Sequence, residues 1–127
     1  MEYPFAVGPV TERVLTFFTP DSGDVAIKAG DALKLASSYT VTNAASADDP
    51  VIGQAMVSVS GNAQPVSVVV RGLCIFDYDG ADAPVINGAA GIAASATSGK
   101  VKKPASGNGR GINLAVDAAA KRVSVLL

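Results

Sequence analysis

Histidine and tryptophan are absent from this chain, cysteine occurs once, and aromatic residues make up only 6% of it. Each absence removes a class of function. Without histidine, no side chain titrates near neutrality as a ready general base, and the commonest transition-metal ligand is missing. A single thiol, Cys74, cannot close an internal disulfide, and its setting in Leu73-Cys74-Ile75-Phe76 reads as a small buried hydrophobe. No histidine stands ready to activate it as a nucleophile. Ten basic and eleven acidic residues leave a formal net charge of −1, so no global field draws the chain to nucleic acid or to an anionic membrane. No apolar run approaches the ~20 residues of a membrane-spanning helix. The opening Met1-Glu2-Tyr3-Pro4-Phe5 puts an acid where a secretory signal needs basic residues. The expectation is a protein made and used without crossing a membrane.

What the chain does have is 127 residues, of which 49% are apolar. That length suits one domain able to hold a core without staples, and the apolar fraction argues against disorder. Much of the apolar content is alanine and valine, so the core is expected to be thin. Self-association would then supply burial that a lone subunit lacks.

The tail, Gly111-Ile112-Asn113-Leu114-Ala115-Val116-Asp117-Ala118-Ala119-Ala120-Lys121-Arg122-Val123-Ser124-Val125-Leu126-Leu127, has two apolar runs around a polar break and reads as a closing β-hairpin. Glu12 to Thr19 is a run of β-branched and aromatic residues stopped by Pro20-Asp21-Ser22-Gly23, a strand and its turn. Asp24 to Lys28 alternates briefly before Ala29-Gly30-Asp31. Ala32 to Leu35 and Tyr39 to Thr42 form a strand pair, and Asn43 to Pro50 a polar loop. In the middle, Val51 to Ser60 and Val66 to Gly72 alternate with period two on either side of Gly61-Asn62-Ala63-Gln64-Pro65, which predicts a hairpin. Leu73 to Phe76 continues as a strand past Gly72. Asp77 to Gly111 is weakly patterned, and its run Ala89-Ala90-Gly91-Ile92-Ala93-Ala94-Ser95 has the composition of a helical turn. Short strands between regular turn signals indicate an all-β fold, a small barrel or sandwich.

Ahead of that domain (residues 12–127), residues 1–11 form an N-terminal arm with prolines at 4 and 9. Two prolines so close fit neither a helix nor a central strand. A solvated tail is normally polar, yet this one carries Tyr3, Phe5, Val7 and Val10. Those four side chains are the candidate partner-binding residues, on an arm that docks onto its own domain or onto a neighbour, with a frayed terminus as the alternative.

Motifs for chemistry mostly fail. Asp77-Tyr78-Asp79-Gly80-Ala81-Asp82 has a misplaced glycine and no closing glutamate for a calcium loop, and reads as an acidic surface turn. Gly99-Lys100 lacks the earlier glycine and the following hydroxyl residue of a phosphate loop. Gly107-Asn108-Gly109-Arg110-Gly111 has the wrong spacing for a dinucleotide fingerprint and reads as a flexible hairpin tip, with an anion-binding nest as the alternative. Lys100, Lys102, Lys103 and Arg110 gather into one basic stretch without stacking aromatics, a solvated face or a patch for an acidic partner. There is no Ser-x-x-Lys and no Gly-x-Ser-x-Gly, and most acids sit in turn-like segments with no apolar setting to shift them. The residues point away from an enzyme and call for no metal and no cofactor.

Four stretches in order resemble the capsid cement, or head decoration, proteins of tailed phages. They are Val25-Ala26-Ile27-Lys28-Ala29-Gly30-Asp31-Ala32-Leu33, Asp49-Pro50-Val51-Ile52-Gly53-Gln54-Ala55, Pro65-Val66-Ser67-Val68-Val69-Val70-Arg71-Gly72, and the terminal hairpin. The set is similar to the family's succession of a Gly-Asp turn, an Ile-Gly-x-Ala strand, a Val-x-Val-x-x-Arg-Gly strand and a closing hairpin. It spans about Asp24 to Leu127; the arm and the stretch from Asp77 to Asn108 lie outside it. The resemblance implies a small β-barrel or β-tulip-like domain with an extended N-terminal arm. Such a protein is made in the host cytoplasm and bound to the exterior of the virion capsid. Its partner would be the major capsid protein, and its own state a homo-oligomer, a trimer before a dimer. It would stabilise contacts between capsomers without catalysis or cofactor. A tail or baseplate adaptor of similar size is the first alternative, and a ligand- or carbohydrate-binding β module the second, although sugar binding favours aromatic platforms that are scarce here.

Overall fold

The computed structural model describes residues 12–80, 82–86, 91–105 and 107–127. Its strands are β1 (Arg13–Phe18), β2 (Ala26–Ile27), β3 (Ala32–Ser37), β4 (Thr40–Thr42), β5 (Gly53–Ala55), β6 (Val59–Ser60), β7 (Pro65–Arg71), β8 (Leu73–Asp77), β9 (Ala93–Ala94), β10 (Val101–Lys102), β11 (Ile112–Asp117) and β12 (Arg122–Leu126). No helix forms among the described residues. The fold is all-β, as the short strands and frequent turn signals require.

Five strands pair in the order β1-β4-β3-β5-β7, and β7 returns to β1, so this sheet closes into a ring. The seam is thin: β1 meets β4 in parallel at the single pair Phe18 and Thr40. The opposite join is long, with β1 and β7 antiparallel from Arg13–Arg71 to Phe18–Pro65 and a register shift between Arg13 and Val14. Beyond the ring, β11, β12 and β8 make a three-stranded antiparallel sheet, β9 pairs with β10, and β2 pairs with β6.

Two apolar clusters fill this frame. One lies within the ring and contains Phe17, Ile27, Leu33, Val41, Val66 and Val68. The other lies between the ring and the C-terminal sheet and contains Val69, Cys74, Phe76, Ile92, Val123 and Val125. Alternation along a strand sends neighbours to opposite faces. On β7, Val66 and Val68 therefore enter the first cluster while Val69 enters the second, and on β3 Leu33 and Ala32 divide the same way. Strands covered on both faces read as nearly unbroken apolar runs, which is the character of Val66 to Val70. Gly53 permits the close approach of β5 to β7, since a Cβ there would stand 2.2 Å from the Val69 carbonyl oxygen.

The closing hairpin forms as expected, Ile112–Asp117 against Arg122–Leu126, with Leu114 bulged between the paired Asn113 and Ala115. The middle hairpin forms only in part. Gln54 and Ala55 pair with Val69 and Val68. The chain then leaves that ladder after the Met56 amide bonds to the Ser67 carbonyl. Val59 and Ser60 pair with Ile27 and Ala26 instead. Burial decides the switch, because Val59 and Val25 pack against the ring cluster that contains Ile27. Thr19 pins the returning loop: its hydroxyl donates to the Gly61 carbonyl at 2.7 Å and accepts from the Gln64 amide at 2.8 Å. The helical turn expected in the alanine-rich run is also corrected, since Ala93 and Ala94 form β9, buried against β10. Ala89 and Ala90 of that run lie outside the described residues.

Leu33 is 1% exposed in the ring, whereas Leu35, two residues along the same strand, is 51% exposed. Leu33→Ala should cost about 2–5 kcal/mol, through lost transfer energy and a residual cavity. Leu35→Ala should cost less than about 1 kcal/mol. Urea midpoints of the two variants check the difference.

Candidate functional site

Arg110 organises a groove among the described residues. Its main chain pairs with Ile92 in both directions, at 2.9 and 3.0 Å, just before β11 begins. Gly91 makes room for that contact: at φ +62°, a Cβ would lie 2.1 Å from the Arg110 carbonyl oxygen. From this anchor the guanidinium reaches the ring, where Nη1 donates to the Ile52 carbonyl and, at 3.3 Å, to the Val51 carbonyl, while Nη2 donates to the Val70 carbonyl. The sequence of the ring explains the position. The register of β7 against β1 slips at Val70, and a bulge of this kind leaves a main-chain group without its ladder partner. Arg110 donates to that carbonyl. Burial lowers the affinity of its guanidinium for a proton, and the neighbouring positive charge of Arg71 lowers it further.

The groove beside Arg110 has a volume of about 470 Å³ and is lined by Lys34, Leu35, Asp49, Val51, Ile52 and Arg110 among others. On its wall, Lys34 Nζ donates to Asp49 Oδ2 at 2.8 Å and the Ser46 amide donates to the same oxygen at 2.9 Å. The lysine bond first, and then that amide, hold the Asp49 carboxyl below its usual range. Asp48 turns the other way, at φ 74°. Its Oδ1 accepts from the Ala105 amide at 2.8 Å and faces Lys102 Nζ at 3.7 Å. The polar loop expected at 43–50 is thus a fixed wall, tied to β9 by the Ala94 amide to the Asp49 carbonyl and the Asp48 amide to the Ala94 carbonyl.

A second exposed surface covers the outer face of the C-terminal sheet. Ile75, Ile112, Leu114 and Leu126 are each more than two-fifths exposed there. The paired residues Leu73, Leu126 and Ile112 form one row across it. The row at the opposite end is charged, Asp77, Arg122 and Asp117, with Arg122 Nε 3.4 Å from Asp77 Oδ1.

The candidate residues Tyr3, Phe5, Val7 and Val10 lie outside the described residues. The basic stretch does not form a common strip. Lys102 is 8% exposed and faces Asp48, and Arg110 is occupied by carbonyls, while Lys100 and Lys103 stay exposed. The flexible tip expected at 107–111 is corrected as well, because Arg110 is held through its main chain and side chain, and the Asn108 amide group donates to the Asp48 carbonyl at 3.0 Å. Asp79 of the acidic turn accepts the hydroxyls of Ser95 and Thr97 at 3.2 and 3.1 Å. Cys74 is buried, and burial pushes its thiol up to about 11. No group of three or more His, Cys, Asp or Glu side chains able to hold a metal occurs among the described residues. Two features escaped the sequence: the groove itself, and the opposition of Arg13 to Arg71 across β1 and β7. Only the strand register reveals that opposition.

Arg110→Met would leave main-chain carbonyls of Val51, Ile52 and Val70 without their donor, at a cost of about 2–3 kcal/mol. Arg110→Lys should recover less than half of it, because an ammonium cannot reproduce the planar fork. Thermal melts of both variants, with near-ultraviolet spectra to verify folding, provide the check. In comparisons with known proteins, no family model and no curated protein matches this chain.

Proposed function

We propose that this chain is a capsid cement subunit of a tailed phage, bound to the outer surface of the assembled shell and reinforcing contacts between capsomers. In this reading the five-strand ring is the small β-barrel of the domain, residues 1–11 are its docking arm, and the working form on the virion is a homo-oligomer, a trimer before a dimer. The major capsid protein is the partner, and the role needs neither nucleic acid nor cofactor. The observation that carries the reading is the breadth of exposed aliphatic surface. Leu15 and Leu35 on the ring, and Ile75, Ile112, Leu114 and Leu126 on the C-terminal sheet, are between 42% and 62% exposed. Exposed aliphatic side chains gathered on a sheet face are the kind of surface that marks protein contact sites. The ordered motifs that resemble those of the cement family give that contact its proposed partner.

The energetics suit such a task. A standard interface buries about 1,600 Å² in total, and a nanomolar contact corresponds to about −12 kcal/mol. An oligomer that bridges several capsomers makes its later contacts intramolecular, so modest individual contacts suffice.

Purified protein mixed with unexpanded and expanded shells, followed by sedimentation and imaging, tests the assignment. The full chain should decorate shells at regular positions. Deleting residues 1–10 should weaken occupancy by about tenfold or more, as the loss of even one well-buried apolar side chain would. Absence of the full chain from shells of both kinds would overturn the reading, and unchanged occupancy by the deletion variant would remove the arm from it.

A further inference from the structure

We infer that the rim of the ring formed by Arg13, Arg71 and Arg110, together with the groove beside Arg110, is a docking site for an extended acidic segment of a partner protein bearing alternating apolar side chains. The inference goes beyond the capsid reading and does not depend on it, since it concerns the chemistry of the segment and not the assembly that carries it.

Three observations lead there. First, Arg13 and Arg71 are paired directly across β1 and β7. Opposed residues in an antiparallel pair have their Cβ atoms about 5 Å apart, where like charges destabilise the sheet. The ion pairs among the described residues join Lys34 to Asp49, Lys102 to Asp48 and Arg122 to Asp77, and none of them engages these arginines. Glu12 packs its stem towards Gly72 at the same rim and closes no such pair. Second, Arg71 follows the Val70 carbonyl that Arg110 binds, and its charge is felt by the Arg110 guanidinium, so a third arginine lies near Arg71. Arginine therefore predominates over Glu12 at this rim, which suits an acidic partner.

Third, the rim borders material suited to an extended chain. β1 is bonded to β7 along its whole length but to β4 only at Phe18, so Arg13 to Thr16 present a second edge that is unpaired among the described residues. Such an edge accepts a strand through its main-chain groups. Val14 and Leu15 on that strand, and Leu35 in the groove, are 42%, 50% and 51% exposed. An added strand with period two would lay alternate residues beside Val14 on one face and beside Leu15 on the other, with its acids serving the arginines at that end. Charge selects the class of partner: arginine forks match carboxylates in a bidentate manner. Phosphate would satisfy the charge as well, but it offers nothing to the exposed leucines.

The probe is the peptide fluoresceinyl-Leu-Asp-Val-Glu-Leu-Asp-Val-amide, labelled at its N-terminal amine. Its partners in the test are an isostere with Asn and Gln in place of the acids, a Lys-substituted version, and an oligothymidylate of similar length. Fluorescence anisotropy with the full chain should show binding of the acidic peptide alone, weakened about tenfold or more as ionic strength rises from low salt. R13Q/R71Q should also weaken it about tenfold or more. That variant should melt no lower than the parent, because it relieves a like-charge pair. R71E should lose the acidic peptide and gain the Lys-substituted one, a reversal that a misfolded variant would not show. No binding of the acidic peptide, equal binding of the isostere, tighter binding of the oligothymidylate, or indifference to R13Q/R71Q would each overturn the inference. Shell occupancy, measured separately, is untouched by any of these results.

Discussion

One arginine does what a strand would otherwise have to do. The ring and the C-terminal sheet are built from different stretches of chain, and the ladder that joins β5 to β7 ends at Gln54 and Val69. Beyond that point the Arg110 guanidinium donates to the carbonyls of Val51, Ile52 and Val70 and so joins the two segments. Its own main chain is bonded to Ile92 on the side of the second core. The residue therefore ties a loop, a bulge and the start of β11 together from one Cα. Desolvating a guanidinium has a cost, which lowers its proton affinity here, and donation to several carbonyls offsets that cost.

The second constraint is that β3 and β7 serve both cores. Ala32 and Val69 face the C-terminal sheet while Leu33 and Val68 face the interior of the ring. Thin cores of valine and alanine gain from this sharing, because each strand contributes apolar surface on both sides. The consequence is that the remaining aliphatic side chains stand on the outside of well-packed strands. Ile75 and Leu126 face outward from the same strands whose alternate residues, Cys74, Phe76, Val123 and Val125, are fully buried. A binding surface placed on well-packed strands is pre-organised and loses little entropy when a partner arrives.

Much of this was legible in the sequence, and the rest was hidden for identifiable reasons. β1, the β3–β4 pair, β8 and the closing hairpin follow from alternation and turn residues. Cys74 reads correctly as a buried hydrophobe because it stands within the apolar run Leu73 to Phe76. The pairing of β6 with β2 was not readable, since Val57 to Ser60 would have suited the β7 ladder equally well and only the place of Val59 beside the ring core decides against it. β9 was missed because alanine carries no strong preference for a strand; its burial against β10 creates one. Arg110 looked mobile among glycines, yet Gly91 is what lets a backbone approach it closely. The Arg13–Arg71 opposition depends on a register shift that no local pattern reveals.

If Arg110 and the shared strands make the two cores one mechanical unit, native-state hydrogen exchange should show it. In the parent protein, amides of Leu33, Val41 and Val68 in the ring and of Phe76, Val123 and Val125 in the C-terminal sheet should exchange through one common opening of the same free energy. In Arg110→Met the two sets should separate, with the C-terminal sheet opening about tenfold or more often than the ring. Two sets already separate in the parent, or a variant whose sets remain together, would contradict the account.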